Sequence, residues 1–124
     1  LQGIETLGLR MARHLSNTEA VVQCLASHPL VSRVGHPLVD SHPSHALART
    51  LLPKGAGSVF SFDIKGSPKQ CAVLVDALKL FTHAAHTTQS TIRLSVGLED
   101  PADLVDDLLR ALKVAEKAAE KAGA

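Results

Sequence analysis

Two short segments, residues 58–65 and 91–96, alternate apolar and polar residues, and this alternation is the strongest constraint on the fold. The apolar positions are Phe60, Phe62, Ile64, Ile92, Leu94 and Val96. Because successive side chains of a β-strand point to opposite faces, each segment is predicted to be a strand with one buried face. The other face would carry the polar residues Ser61, Asp63, Arg93 and Ser95. That face is too polar for a core, so we expect it to be solvated or to cover a partner domain.

Segments with helical periodicity lie between these strands. Helices are predicted over residues 4–25, 43–52, 67–78 and 101–112, and a further short strand over residues 30–35. Pro29 disfavours helical geometry at His28, while Ser67 and Pro68 provide a capping residue and a first-turn proline. The alternating order of helices and strands predicts an α+β fold of two layers, with the helices on one face of a small, mostly antiparallel sheet.

The faces of the first and last helices follow from residue spacing. The apolar face of the first helix comprises Ile4, Met11, Leu15, Thr18, Val22 and Leu25. That of the last helix comprises Leu104, Val105, Leu108, Leu109 and Leu112. Asp103, Asp106 and Asp107 are interpreted as the solvated face of the last helix. Residues 115–124 are rich in Ala, Glu and Lys and are interpreted as a solvated helical tail.

Composition excludes several classes of protein. The chain has 124 residues, the size of one domain, and 45% of them are hydrophobic, which is typical of a globular protein. A net charge of +1 and only three Phe, without Tyr or Trp, argue against a nucleic-acid interface. No apolar run approaches the roughly 18 residues of a membrane span. We therefore expect a cytoplasmic protein in which Cys24 and Cys71 are buried free thiols. Because Leu1 already lies in a helical pattern, we expect the chain to be part of a longer polypeptide.

Arg93 is the strongest candidate for a binding residue. It lies in the middle of a predicted strand, on the face turned away from the core. A guanidinium held on a rigid strand can bind a carboxylate through two parallel hydrogen bonds. The alternative is an exposed strand arginine without a ligand, and the pattern alone favours that alternative.

Other candidate sites have weaker support. His42 and His45, like His83 and His86, are three residues apart, but no carboxylate or cysteine is placed to complete a metal site. Residues 54–57 (KGAG) precede a strand, so they lack the helix N-terminus of a phosphate-binding loop. No serine lies in a Gly-x-Ser-x-Gly motif. We predict neither a metal site nor a catalytic residue in this chain.

Several blocks of the sequence together resemble one enzyme family. They are residues 3–7 (GIETL), 9–11 (LRM), 41–43 (SHP), 52–57 (LPKGAG) and 92–100 (IRLSVGLED). They resemble the C-terminal domain of the Cys/Met-metabolism pyridoxal-phosphate-dependent enzymes of fold type I, with the O-acetylhomoserine sulfhydrylases as the most similar members. The resemblance implies that Arg93 binds the α-carboxylate of the substrate. It also implies a cytoplasmic homotetramer that replaces the γ-substituent of O-acetylhomoserine with sulfide, giving homocysteine for methionine biosynthesis.

The resemblance further implies that much of the enzyme lies outside this chain. The Schiff-base lysine, the phosphate contacts and the aromatic residue stacked on pyridoxal phosphate belong to the large domain of the family. This chain alone is therefore expected to be inactive, without cofactor-binding residues. The family has a longer stretch between Phe81 and Ile92, so residues are expected to be missing within 82–91. The implied division is a linking helix (1–28), a substrate-side domain (29–114) and the tail (115–124).

Three alternatives remain open at this point. Cystathionine γ-synthase, cystathionine γ-lyase and methionine γ-lyase belong to the same family. The first alternative is one of these three activities. The second is a non-catalytic interaction domain whose polar sheet face covers a partner, and the third is a histidine metal protein. The expected partners are a small amino-acid substrate and the rest of the same polypeptide, and neither nucleic acid nor membrane.

Overall fold

The computed structural model of the chain describes residues 7–39, 42–52, 57–81, 84–86 and 90–123. Their helices and strands are, in order, α1 (Leu7–Ala26), β1 (Val31–Gly35), α2 (His45–Leu51), β2 (Val59–Ile64), α3 (Pro68–Ala77), β3 (Ala84–His86), β4 (Thr91–Ser95) and α4 (Pro101–Gly123). Every predicted helix and strand has a counterpart here. β3 has no counterpart in the predicted order, because its three residues are too few to produce a periodic pattern.

The strands form one sheet in the order β1-β2-β4-β3. All three pairings are antiparallel. In the pairing of β2 with β4, Phe62 lies opposite Ile92 and Ser61 lies opposite Arg93. β1 and β3 are the outer strands of the described sheet. This arrangement confirms the predicted α+β fold.

The core lies between one face of the sheet and the helices α1, α3 and α4. All six apolar positions of the two alternating segments are buried: Phe60, Phe62, Ile64, Ile92, Leu94 and Val96. The helices contribute buried side chains that include Val21, Leu25, Leu74, Leu104, Leu108 and Leu112. Burial of one such side chain is worth about 1.5–3 kcal/mol, so this largely aliphatic layer is the main source of stability. No helix in the described part of the chain has the length and apolar character to span a bilayer.

The first half of α1 departs from the predicted apolar face. Met11 is 42% exposed and Leu15 is half-buried, whereas Val21, Val22 and Leu25 are buried. The prediction followed the spacing of apolar residues, but burial depends on where the sheet lies. In the described structure the sheet and its neighbouring helices cover only the second half of α1.

The start of α3 confirms the predicted capping residue. The Ser67 side chain accepts a hydrogen bond from the Gln70 backbone N–H at 3.3 Å, and the Gln70 side chain accepts one from the Ser67 N–H at 2.8 Å. Pro68 occupies the first helical position. This reciprocal pair is a capping box. The Gln70 amide also donates to the Ala115 carbonyl at 3.3 Å, so the cap connects α3 to α4.

The buried face of α4 extends further along the chain than predicted. Ala111 and Ala115 are fully buried, while Leu109 is 41% exposed. Glu116 lies 4.0 Å from the ring of His28. The solvated tail predicted from residue 115 therefore does not begin there, because the small alanines allow close packing of the helix at this point.

Asp107 is buried, and the prediction that it belongs to a solvated face is wrong. Its carboxylate accepts hydrogen bonds from the backbone N–H groups of Lys79 and Leu80, at 3.0 and 2.9 Å, and from Arg110 at 2.7 Å. These donors replace the water that an exposed carboxylate would bind. Burial raises the pKa of Asp107, but the bonds from Leu80, Arg110 and Lys79 outweigh it and hold the pKa below its ordinary value.

Candidate substrate-binding face

The sheet face turned away from the helices carries a set of polar side chains, which we call the polar face: Arg33, Ser61, Asp63, Thr91, Arg93 and Ser95. They are exposed or half-buried. The strand register arranges most of them in two rows that run across β1, β2 and β4. One row is Arg33, Asp63 and Thr91, and the other is Gly35, Ser61 and Arg93.

Arg93 lies in the middle of β4, with Ser61 of β2 opposite it on one side and Ala85 of β3 on the other. Its backbone is therefore held by neighbouring strands on both sides, and its side chain is exposed. No other described residue forms a hydrogen bond or ion pair with its guanidinium. A free guanidinium on a rigid strand can bind both oxygens of a carboxylate. The sequence placed Arg93 correctly, and its role in binding stays a prediction.

The carboxylate of Asp63 is already engaged. Its Oδ2 accepts a hydrogen bond from Arg33 Nε at 3.0 Å, and its Oδ1 accepts one from the Thr91 hydroxyl at 2.6 Å. Burial raises the pKa of Asp63, but the bonds from Thr91 and Arg33 outweigh it and lower the pKa. Asp63 is therefore not available as a counter-ion for Arg93. Sequence reasoning did not single out Arg33, although its charge within the predicted strand 30–35 was a signal.

The segment that follows β4 is held by α1. Asn17 donates to the carbonyls of residues 97 and 99, at 3.0 and 2.7 Å. Arg13 donates to those of residues 98 and 99, at 3.3 and 3.4 Å. His14 Nδ1 lies 2.8 Å from the carbonyl of residue 96, and because a carbonyl only accepts, this nitrogen carries the proton. Four consecutive carbonyls just beyond Arg93 are thus fixed by one helix.

Asn17 is the member of this group that sequence reasoning missed. It is fully buried, in the interior of a helix. Asparagine is unfavourable there because its side chain competes for backbone hydrogen bonds. An asparagine inside a predicted helix was therefore a sign that its side chain contacts another part of the chain.

His36 is used within the fold. It is 1% exposed, its Nε2 lies 3.1 Å from the Gly57 carbonyl, and its ring meets Phe60 edge-on with centroids 5.5 Å apart. Burial lowers the pKa of His36 and the charge of His42 adds to this, while the bond to Gly57 opposes it. Gly57 has φ of 98°, a conformation that glycine adopts readily, at the turn into β2. The preceding residues 54–56 of the glycine-rich segment lie outside the described structure.

The histidine pairs make no described metal site. The Nδ1 of His42 accepts a hydrogen bond from the Ser44 N–H at 3.0 Å, and the Nδ1 of His45 lies 2.7 Å from the Pro37 carbonyl. Within the described ranges, no three His, Cys, Asp or Glu side chains are grouped so that they could hold a metal ion. Of the other pair, His83 lies outside these ranges, and only the backbone of His86 is described.

Both cysteines are free thiols, as predicted. Cys71 is fully buried, whereas Cys24 is only half-buried. Burial raises the pKa of both thiols, and the charge of Asp63 adds to the effect at Cys71. A raised pKa favours the protonated thiol, which is a weaker nucleophile than the thiolate.

A comparison with models of protein families identifies the family of this chain. The family model described as "Cys/Met metabolism PLP-dependent enzyme" matches residues 1–90. The chain belongs to this family. Its members depend on pyridoxal phosphate.

The relatives include enzymes with several activities. Homocysteine synthase of Schizosaccharomyces pombe is 37% identical over 143 residues, which cover 93% of this chain and 33% of the relative. Cystathionine gamma-lyase of Sus scrofa is 41% identical over 142 residues (92% and 35%), and L-methionine gamma-lyase of Pseudomonas deceptionensis is 35% identical over 141 residues (91% and 35%). The chain spans about a third of the length of these relatives.

The relatives are also longer within the matched part. The alignment with the Schizosaccharomyces pombe protein runs over 143 positions but uses 93% of 124 residues, which is about 115. The difference between 143 and 115 leaves about 28 positions of the relative without a counterpart in this chain.

Solved structures have the same fold. Cystathionine gamma synthase of Xanthomonas oryzae pv. oryzae, in complex with cystathionine, superposes with a TM-score of 0.84 at 30% identity, over 94% of this chain and 37% of that one. A Campylobacter jejuni protein described as an O-acetylhomoserine (thiol)-lyase gives 0.82 at 34% identity, over 90% and 30%. The latter structure contains N'-pyridoxyl-lysine-5'-monophosphate. The chain therefore has the fold of a part of these enzymes.

The described residues do not fit a pyridoxal phosphate site. The lysines whose side chains are described are all exposed: Lys65, Lys69, Lys79, Lys113 and Lys117. The three phenylalanines, Phe60, Phe62 and Phe81, are buried in the core, so none of them presents a ring for stacking. No step of cofactor chemistry can be assigned to these side chains.

Proposed function

We propose that this chain is the substrate-side, C-terminal part of a pyridoxal-phosphate-dependent sulfhydrylase. The enzyme would replace the acetate at the γ-carbon of O-acetylhomoserine with sulfide and release homocysteine. The observation that carries the proposal is the guanidinium of Arg93 on the polar face, which has no hydrogen-bond or ion-pair partner among the residues that the structure describes. The relatives called homocysteine synthase and O-acetylhomoserine (thiol)-lyase support this choice of reaction.

Arg93 would act by orientation. When both oxygens of the α-carboxylate are bound, the substrate can turn only about the bond between the carboxylate and the α-carbon. The α-carbon is then fixed in place, and the amino group is presented to the rest of the enzyme at a constant distance from Arg93. Pyridoxal phosphate, held elsewhere, supplies the electron sink. The role of this chain is therefore binding and positioning.

The rest of the polypeptide would cover surfaces that are open in this chain. α2 has no buried residue, and Leu47, Leu51 and Leu52 are 59%, 65% and 52% exposed. A group of exposed leucines is typical of an interaction surface. We also propose a cytoplasmic homotetramer, as the family resemblance implies. Sedimentation velocity of the complete enzyme and cell fractionation test these two points.

Two sets of alternatives keep specific support. Relatives named cystathionine gamma-lyase and L-methionine gamma-lyase, and a structure named cystathionine gamma synthase, are as similar as the sulfhydrylases. Turnover assays with each amino acid would separate these activities. A non-catalytic interaction domain is favoured by the lack of fit between the described residues and the cofactor. It predicts an intact mass equal to this chain and no cofactor absorbance in the purified sample.

The decisive experiment is substitution of Arg93 in the complete enzyme. Arg93→Ala is expected to raise KM roughly tenfold to hundredfold, because a hydrogen-bonded charge contributes about 1.5–3 kcal/mol. Cofactor absorbance should not change. Lys69→Ala, which removes the same charge from an exposed site on α3, should leave KM unchanged. An unchanged KM in Arg93→Ala would overturn the role of Arg93 in carboxylate binding. Turnover by the isolated chain would overturn the proposal that the rest of the polypeptide holds the cofactor.

A further inference from the structure

The polar face carries a second guanidinium that the proposed function does not use. Arg33 Nε is bonded to Asp63, and a terminal nitrogen of Arg33 lies 3.4 Å from the point where a Cβ on Gly35 would stand. The guanidinium thus lies over Gly35. Because glycine has no side chain, nothing at position 35 separates the guanidinium of Arg33 from the backbone of the sheet.

The position of this guanidinium relative to Arg93 follows from the register. Gly35 lies opposite Ser61, and Ser61 lies opposite Arg93, so the three residues form one row across β1, β2 and β4. Neighbouring strands are about 4.8 Å apart, which places the guanidinium of Arg33 roughly 10 Å from the base of Arg93. The Ser61 hydroxyl lies on the same face between them.

Arg33 is held in place while most of its donors stay available. Asp63 accepts only from Nε, and the other oxygen of Asp63 is bonded to Thr91. The two terminal nitrogens of Arg33 have no hydrogen-bond partner among the residues that the structure describes. Their outward edge is the one that binds a carboxylate side-on. The side chain is 60% exposed, so a ligand can reach it from solvent.

We propose that Arg33 binds a second carboxylate, at the far end of the side chain of an amino acid whose α-carboxylate is held by Arg93. The proposal rests on the role of Arg93 given above. Arg33 is then a specificity-determining residue that favours side chains ending in a carboxylate over uncharged ones. O-Acetylhomoserine ends in an uncharged ester and would not engage Arg33, so binding there would favour the cystathionine activities named above over the sulfhydrylase. Ser61 lies under the middle of such a ligand and can donate a hydrogen bond to a polar atom of its chain.

The test compares two amino acids that differ only at the far end. L-2-Aminoadipate and L-norleucine have the same six-carbon chain, which ends in a carboxylate in one and in a methyl group in the other. Each is titrated into this chain while the arginine Nε–Hε resonances are followed by NMR. We expect aminoadipate to bind about fivefold more tightly, the upper end for a partly exposed ion pair. Equal affinities in the unsubstituted chain would overturn the proposal.

Substitutions separate this proposal from the one on which it rests. Arg33→Ala should bring the affinity ratio to about one and leave norleucine binding unchanged, and a ratio that stays fivefold would overturn the role of Arg33 alone. Arg93→Ala should weaken the binding of both ligands. If norleucine binds Arg93→Ala as tightly as the unsubstituted chain, the proposed function fails instead.

A last variant controls for Asp63, because Arg33→Ala removes the ion-pair partner of its carboxylate. In the double variant Arg33→Ala/Asp63→Asn, neither the guanidinium nor the freed carboxylate is present. A ratio that stays near one supports direct binding by Arg33. A ratio that returns to fivefold would mean that repulsion from Asp63 caused the effect in the single variant, and would overturn the proposal.

Discussion

The carboxylate of Asp107, in the first third of α4, lies 2.9 Å from the backbone nitrogen of Leu80, just beyond the end of α3. The same carboxylate accepts from the N–H of Lys79 and from Arg110, and Arg110 also donates to the Ala77 carbonyl. One buried side chain therefore fixes the direction in which the chain leaves α3.

Removing this carboxylate should be costly. We expect Asp107→Ala to lower the free energy of unfolding by about 3 kcal/mol, because two backbone N–H groups lose their acceptor in a buried place. Asp106 is adjacent and exposed, so Asp106→Ala should change it by less than about 0.5 kcal/mol. Urea denaturation measures both values. Equal losses in the two variants would show that the hydrogen bonds of Asp107 contribute little.

The lowered pKa values of Asp107 and Asp63 predict the behaviour of the chain in acid. A carboxyl whose pKa is lower in the folded state stabilises that state above its unfolded pKa, near 3.9, and this stabilisation is lost as pH falls through the folded pKa. We expect the free energy of unfolding to fall steeply below about pH 4. Asp107→Asn should reduce this slope and Asp106→Asn should retain it, as measured by urea titrations at several pH values.

His36 predicts a second, separate pH dependence. Because burial lowers its pKa, the unfolded state takes up a proton first as pH falls below about 6.5, and stability decreases from there until the folded pKa is reached. His36→Gln should remove this decrease below about pH 6.5, while His28→Gln should keep it. If stability decreases by the same amount in His36→Gln, another titrating group causes the decrease.

Asn17 is expected to stabilise the segment after β4. Asn17→Ala leaves the carbonyls of residues 97 and 99 without its amide and should cost about 2 kcal/mol. Asn17→Asp should cost more, because a carboxylate would then face those carbonyls. Ser16→Ala, at the exposed neighbouring position, is the control and should cost less than about 0.5 kcal/mol. The prediction would be contradicted if all three variants had the same melting temperature in thermal unfolding.

The exposed leucines of α2 should not contribute to the stability of this chain. Leu51→Lys is expected to leave the free energy of unfolding within about 0.5 kcal/mol and to reduce self-association in sedimentation velocity. Leu74→Ala, in the core beneath the sheet, should cost about 3 kcal/mol. A large loss in Leu51→Lys would mean that α2 packs on the chain itself.

Features encoded locally could be predicted from the sequence. The two-residue period of a strand determines which face each side chain occupies, so the burial of Phe62 and Ile92 and the exposure of Arg93 followed directly. Ser67 and Pro68 lie within one helical turn, so the cap was also visible. The relevant interactions span only a few residues in each case.

Features that depend on distant segments could not be predicted. Asp63 and Arg33 are 30 residues apart and meet only through strand pairing. The backbone donors of Asp107 lie 27 and 28 residues away, so its acidic side chain on a helix indicated an exposed face. β3 is defined by its pairing with β4, and no pattern within Ala84–His86 indicates a strand.

The order of the strands has an evolutionary consequence. β4 takes its register from β2, whereas β3 lies at the rim of the described sheet. Insertions or deletions in the connection between α3 and β4 therefore alter the rim and leave the register of β4 against β2 in place. A chain with a longer or shorter connection there would thus keep Arg93 opposite Ser61.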